Sequence, residues 1–188
     1  MLALSVASIG YIIWHHRKYK DQTIRKFWPT IRIWIYGLFA IIVCTFITNV
    51  ILLALGKSLH MVNAISQNQQ VINKVQHVNI YGTIFIIVLT LVIGPIIEEM
   101  TFRYIPTIGT KHPRIWLFAF GILFVLAHLA DDLTSLNLAN PTNIYLVFTH
   151  AVTYLVPTIV FTLIYTKTKN IANSMVVHTL GNVLSILI

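Results

Sequence analysis

The feature that most constrains this chain is a series of long segments that contain no Asp, Glu, Lys or Arg. They cover residues 33–56, 75–97, 115–130, 133–166 and 170–188. A helix needs roughly 20 apolar residues to cross a bilayer, and a helix satisfies its own backbone hydrogen bonds in lipid. Charged residues make up only 10% of the chain, against about a quarter in soluble domains. We therefore predict an all-α, polytopic transmembrane helical bundle.

Six helices fit this pattern, at about residues 2–16, 31–56, 79–105, 114–130, 143–166 and 170–188. The first segment, MLALSVASIGYIIW, lacks the basic start and the cleavage site of a signal peptide, so we expect a retained helix. Lys and Arg are densest in the first, third and fifth loops, whereas the fourth loop contains Asp131 and Asp132. The positive-inside rule then places loops one, three and five in the cytoplasm and both termini outside.

The net charge of +8 also suits a protein that binds nucleic acid. Here the basic residues lie between the apolar segments, so membrane topology explains them better. We expect the lipid bilayer as partner and no nucleic acid. Cys44 is the single cysteine, which excludes a disulfide framework and a Cys-based metal site. We interpret it as a small core residue.

The only two glutamates, Glu98 and Glu99, are adjacent in the third helix, in the segment GPIIEEMTFRY. A charged residue at the centre of a membrane helix costs about 2.5–3.5 kcal/mol, so such residues are rare and mark functional sites. Arg103 lies four residues after Glu99, so the two side chains share one helix face. One interpretation of Glu99 is that it serves only as the structural ion-pair partner of Arg103. Glu98 lies about 100° around the helix and has no partner at helical spacing. It is therefore the better candidate for a catalytic base.

Two further polar motifs lie on later helices, Phe124-x-x-x-His128 and His178-x-x-x-Asn182. The four-residue spacing places both members of each motif on one helix face. Taken singly, such a His is more often a hydrogen-bonded core residue, and a lone His or Asn can join two helices. A bundle that contains all of these groups together with the glutamate pair has a polar interior site.

These residue types can hydrolyse an amide bond with water as the nucleophile. Glutamate and histidine can activate water as a general base, and a second histidine with an asparagine can donate hydrogen bonds to an oxyanion. The chain has no Gly-x-Ser-x-Gly motif that would indicate a serine nucleophile. Two His and one Glu could bind zinc, but no His-Glu-x-x-His motif is present, so we expect no metal and no other cofactor.

Two more polar groups lie near these motifs in the sequence. His150 is interpreted as a core or gating residue, because it has no partner at helical spacing. Asp132 follows His128 by four residues and is expected to face the outer loop rather than to join the site.

Three motifs, in this order on successive apolar helices, resemble those of the CAAX protease and bacteriocin-processing (CPBP, or Abi) membrane peptidases: Glu98-Glu99-x-x-x-Arg103, Phe124-x-x-x-His128 and His178-x-x-x-Asn182. The resemblance implies that Glu98 activates water with help from His128. It also implies that His178 and Asn182 form the oxyanion hole.

The resemblance further implies that Glu99 and Arg103 support the site. Family members often have Gly after the motif Arg, whereas Tyr104 stands here, so the packing beyond that helix is expected to differ. The likeness extends over about residues 94–182. We therefore divide the chain into N-terminal helices without signature (1–78) and a catalytic helical core (79–188).

The predicted function is that of an intramembrane endopeptidase, which cleaves a peptide or protein near the membrane with a Glu-activated water. The small size resembles bacterial members that are linked to bacteriocin processing or self-immunity, so we expect a multi-pass protein of a bacterial cell membrane. The alternative is a non-catalytic immunity or interaction protein that retains the fold. A small carrier that uses the buried carboxylates is disfavoured, because the chain has no inverted repeat.

The depth of the site residues in the membrane requires a bend in the third helix. With straight helices, Glu98 lies near the cytoplasmic end of its helix and His128 lies toward the outer end of the next. At 1.5 Å per residue, their depths would differ by roughly 10–15 Å. We predict a kink at Gly94-Pro95 that moves Glu98 inward.

Overall fold

A computed structural model describes residues 31–59 and 79–187. In these two ranges the chain forms six helices: α1 (Ile31–Ser58), α2 (Ile80–Thr107), α3 (Pro113–His128), α4 (Ala130–Thr134), α5 (Pro141–Thr168) and α6 (Ile171–Leu187). No strand occurs in the described residues. The predicted all-α membrane bundle is confirmed. The five predicted helices that fall here agree with the observed ends to within two residues, and the predicted helix at about 2–16 lies outside the described residues.

Helices α1, α2 and α5 have 28 residues each and are long and apolar enough to cross a membrane. Their outer faces expose large apolar side chains, such as Phe39 at 64% and Phe46 at 68%. An apolar surface of this extent is unfavourable in water and is satisfied by lipid. Cys44 also lies exposed on α1, so the prediction of a core cysteine was wrong. Lipid tolerates the small thiol as well as a protein core does.

Local sequence signals set several helix ends. The Asn79 side chain accepts a hydrogen bond from the Gly82 N–H at 2.8 Å and caps α2. The Asn140 side chain caps α5 in the same way, and α3 begins with a proline, whose missing N–H has no cost at a first helical position. Helix α5 ends at Thr168, and the next residue, Lys169, has a left-handed backbone with a φ of 53°. The short turn that follows places α6 directly beside α5.

Helix α1 closes one side of the bundle by packing against α5 and α6. Gly37 permits the close approach, because a Cβ at that position would lie 2.8 Å from side-chain atoms of Ile164 and Val177. The Trp34 indole N–H donates to the Asn173 side chain at 3.2 Å and joins α1 to α6. Helices α2, α3, α5 and α6 then surround the part of the interior that contains the predicted motifs.

Candidate active site

Helix α2 departs from regular α-helix just before the glutamate pair. Residues Leu89–Ile93 form a π-helical turn, and the Gly94 N–H donates to the carbonyl of Leu89. Regular α-helix resumes over Gly94–Glu99, followed by a second π-helical turn at Met100–Tyr104. The irregularity occurs where the Gly94-Pro95 pair predicted it. The kink angle itself stays a prediction.

The π-helical turn and Pro95 together remove the usual donors of two carbonyls. In an α-helix the Thr90 carbonyl would accept from the Gly94 N–H, but that N–H bonds to Leu89. The Leu91 carbonyl would accept from residue 95, and proline has no N–H. Two side chains of α6 bond to these carbonyls: Asn182 Nδ2 donates to Thr90 at 2.9 Å and Thr179 Oγ1 donates to Leu91 at 2.8 Å.

Glu99 is fully buried and contacts three hydrogen-bond donors or cations. Its Oε1 lies 3.1 Å from Arg103 Nη1 and 3.0 Å from His178 Nδ1. Its Oε2 accepts from the Ser174 hydroxyl at 2.5 Å. Both carboxylate oxygens are therefore occupied, and the carboxylate joins α2 to α6.

The Arg103 guanidinium is also fully buried. It lies over the Phe124 ring at 4.5 Å and over the Phe161 ring at 5.5 Å from the ring centroids. Among the described residues its nitrogens form no well-aligned hydrogen bond, so the Glu99 contact is a charge pair and the two rings supply cation–π stabilisation. The predicted support of the site by Glu99 and Arg103 thus has a structural basis that includes Phe124 of the second motif.

Glu98 lies on the other side of the helix, between two histidines. Its Oε1 is 3.8 Å from His128 Nε2, and its Oε2 is 3.5 Å from His178 Nε2. The side chain is 18% exposed, in contrast to the fully enclosed Glu99. The structure therefore brings three predicted site residues together at one point. The separation of roughly 10–15 Å that straight helices would give does not occur between Glu98 and His128.

Each of the two histidines uses one ring nitrogen in a hydrogen bond to another group, which leaves the other ring nitrogen facing Glu98. His128 Nδ1 lies 2.9 Å from the Phe124 carbonyl, and a carbonyl only accepts, so Nδ1 carries a proton. In the neutral ring, the Nε2 lone pair then faces Glu98. His178 Nδ1 likewise donates to the Glu99 carboxylate at 3.0 Å. Each histidine is thus held through Nδ1 and presents Nε2 to Glu98.

Aromatic rings fix the orientation of both imidazoles. The His128 ring packs between Phe124 and Tyr154, with centroid distances of 4.3 and 4.8 Å. The His178 ring stacks on Phe161 at 4.4 Å. Rings held by such contacts lose little further freedom when a reaction requires one orientation.

Four residues of this arrangement were not predicted from the sequence: Tyr154, Phe161, Ser174 and Thr179. Only Ser174 carried a usable signal, because it precedes His178 by four residues and so shares its helix face.

Asn182 was predicted as an oxyanion donor, and in the structure its side-chain amide donates a hydrogen bond to the Thr90 carbonyl. The amide has a second N–H, and the oxyanion role stays a prediction.

Asp132 and His150 form a separate polar pair. Asp132 is only 7% exposed, and its Oδ2 lies 3.1 Å from His150 Nδ1. The expectation that Asp132 faces the outer loop was wrong, because the carboxylate turns inward to this histidine. The contact joins α4 to α5 just beyond His128.

Within the described ranges, no group of three or more His, Cys, Asp or Glu is arranged to hold a metal ion. The groups nearest to such an arrangement are Glu98, His128 and His178, whose contacts are given above. Each histidine bonds through Nδ1 and would have only Nε2 to offer to a metal.

The fold and the site together define a helical membrane protein in which a glutamate and two histidines meet at one point between the helices. These groups are suited to hydrolysis. The model of the family described as type II CAAX prenyl endopeptidase Rce1-like matches residues 80–184, more than half of the chain. The chain belongs to this family, which confirms the resemblance seen in the motifs. It is an integral membrane protease whose substrate is a peptide at the membrane. A search of curated proteins and a search of solved structures found no match to the chain.

Proposed function

We propose that this protein hydrolyses a membrane-proximal peptide bond with a water molecule that Glu98 activates. The observation that carries the proposal is the position of the Glu98 carboxylate, 3.8 Å from His128 Nε2 and 3.5 Å from His178 Nε2. Membrane-buried carboxylates and histidines mark functional sites, and the family is one of endopeptidases.

The nucleophilic water is proposed to lie between Glu98 Oε1 and His128 Nε2. Two acceptors 3.8 Å apart can both contact one water at about 2.8 Å. Since His128 Nδ1 already bonds to a carbonyl, its Nε2 is free to accept from that water. Glu98 takes one proton as general base, and the resulting hydroxide adds to the carbonyl carbon of the substrate.

His178 is proposed to stabilise the oxyanion. Its two ring nitrogens face Glu99 at 3.0 Å and Glu98 at 3.5 Å, and ionised carboxylates only accept hydrogen bonds. The ring satisfies both when it carries two protons. Together with Arg103, it then balances the two negative charges of the glutamates in a medium where net charge is costly. The Nε2–H can donate to the oxyanion that forms beside Glu98.

The proton taken by Glu98 is then transferred to the leaving amine, so the tetrahedral intermediate collapses to a carboxylic acid and a free amine, and Glu98 is again a carboxylate. Glu99 does not exchange protons in this scheme, because both of its oxygens are occupied by donors. It acts by holding His178, and Asn182 is proposed to assist at the oxyanion through its second N–H.

The proposed substrate class is supported by the family description, type II CAAX prenyl endopeptidase Rce1-like. We propose cleavage of a peptide near its prenylated C-terminal cysteine. Processing of an unlipidated bacteriocin precursor in a bacterial membrane is the second candidate, and the two differ in whether the lipid is required. A matched pair of reporter peptides, with and without a farnesyl group, distinguishes them.

The test compares the purified wild type with E98Q in lipid nanodiscs, in water enriched in oxygen-18. The wild type is expected to release a fragment that carries one heavy oxygen in its new carboxylate. E98Q is expected to lose about 10²–10⁴-fold in rate, the usual contribution of a general base. D131N removes an exposed carboxylate of α4 and is expected to retain wild-type activity. Full activity of E98Q would refute the proposed mechanism, and a wild type that cleaves neither reporter peptide would favour a non-catalytic role.

A further inference from the structure

We propose that Thr179 is a positioning residue for the reaction: its hydroxyl holds the π-helical turn of α2 that sets the orientation of Glu98. The catalytic part of this inference rests on the proposed function, whereas the structural part does not. Thr179 follows His178 directly in α6, so one turn of that helix would control both the histidine and the glutamate.

The reason lies in the backbone of α2. The carbonyl of Leu91 has lost its usual donor, because Pro95 has no N–H. The carbonyl of Thr90 has lost its donor too, because the Gly94 N–H bonds to Leu89. A carbonyl without a donor is costly inside a membrane, where water cannot replace the missing bond. The irregular turn therefore persists only if another element supplies hydrogen bonds.

Helix α6 supplies them. Thr179 Oγ1 donates to the Leu91 carbonyl at 2.8 Å, and Asn182 Nδ2 donates to the Thr90 carbonyl at 2.9 Å. Glycine at position 94 provides a second, independent sign that this geometry is built in. A Cβ there would lie 2.9 Å from the Leu89 carbonyl oxygen, a backbone atom that cannot move aside.

The turn matters for Glu98 because of helix geometry. A π-helical turn accommodates one additional residue relative to α-helix. Conversion of Leu89–Ile93 to α-helix would rotate the following residues by about 100° against the preceding part. Glu98 could then no longer face both His128 and His178. The hydrogen bonds from Thr179 and Asn182 hold the Leu91 and Thr90 carbonyls in their present positions and so oppose this rotation. Thr179 itself contacts neither glutamate among the described hydrogen bonds.

The kinetic test uses T179V, which keeps the side-chain shape and removes the hydroxyl. Its kcat is expected to fall about 10–100-fold, the effect of a small misplacement of a catalytic group, with little change in KM. T179S keeps the hydroxyl and is expected to restore kcat. T158V is the matched control, because the Thr158 hydroxyl also bonds to a carbonyl at 2.8 Å, but within its own helix. Equal kcat values for T179V and T158V would overturn the positioning role.

A thermal unfolding test does not require activity. P95A supplies an N–H at position 95 that can donate to the Leu91 carbonyl. T179V is therefore expected to lower the unfolding midpoint by about 2–6 °C in the wild-type background and to have little effect in the P95A background. An equal loss in both backgrounds would overturn the inference even if the wild type cleaves no peptide. If T179V does not accumulate in membranes, accumulation of the P95A/T179V double variant supports the inference. If P95A alone accumulates and neither T179V nor P95A/T179V does, the inference is overturned.

Discussion

Replacement of Glu99 by glutamine removes one negative charge from the bundle interior and changes the shape of the side chain very little. The amide oxygen of the variant can still accept from His178, and the Ser174 hydroxyl can turn to accept from the amide nitrogen. The main loss is the charge opposite Arg103, 3.1 Å away, in a place where both side chains are fully buried. Breaking such a buried pair costs about 3–5 kcal/mol.

The expected thermal effect of E99Q follows from this cost. For a protein of this length, each kcal/mol corresponds to a few degrees, so the midpoint is expected to fall by roughly 6–20 °C. E98Q makes the same chemical change one residue earlier, at a partly exposed carboxylate with no contact closer than 3.5 Å among those described. Its midpoint is expected to stay near that of the wild type. The assay is thermal unfolding in one detergent, followed by tryptophan fluorescence.

The two variants together separate stability from chemistry. E98Q is expected to be stable and inactive, and E99Q unstable and, where folded, impaired through the loosened His178. If E99Q unfolds at the wild-type midpoint, the Glu99–Arg103 pair does not stabilise the bundle, and the structural role assigned to Glu99 is refuted. If E98Q is the more strongly destabilised variant, the roles of the two glutamates have been assigned the wrong way round.

Two further predictions concern the metal question and the irregular turn. Hydrolysis is expected to survive EDTA and 1,10-phenanthroline unchanged, because Glu98 and His128 activate the water directly in the proposed reaction; a loss of activity that added zinc restores would contradict this. G94A is expected to lower the free energy of unfolding by about 1–3 kcal/mol, since its Cβ would lie 2.9 Å from the Leu89 carbonyl oxygen. G121A is the control and is expected to be tolerated, because its Cβ would lie at an ordinary 3.5 Å from Thr158; equal midpoints for the two variants would contradict a requirement for glycine at position 94.

The sequence was sufficient to predict five of the six helices in the described residues, all but the short α4, and the meeting of three motifs. Uncharged segments of this length have few alternatives in lipid, because only helices satisfy their backbone there. The four-residue spacing within each motif determined which side chains share a helix face. The separate roles of the two glutamates also followed from helix geometry, since only Glu99 has Arg103 four residues away.

What could not be predicted depends on contacts between distant segments. Pro95 indicated a break in α2, but the π-helical form of the break is accompanied by hydrogen bonds from Thr179, which lies far along the chain. The inward position of Asp132 depends on His150 of another helix. The expected difference in depth between Glu98 and His128 assumed straight helices, and that assumption failed for α2, where two π-helical turns flank the glutamates.

The pairing of Glu99 with Arg103 on one helix has a consequence for how the protein is made. Helix α2 is synthesised well before α6, so it enters the membrane before Ser174 and His178 exist to bond to its carboxylate. An ion pair at four-residue spacing forms within the helix itself and reduces the charge that must be inserted into lipid. The same arginine that supports the assembled site is therefore also placed to act as a counterion of Glu99 during biogenesis, and α6 later docks onto a helix in which this glutamate is already paired.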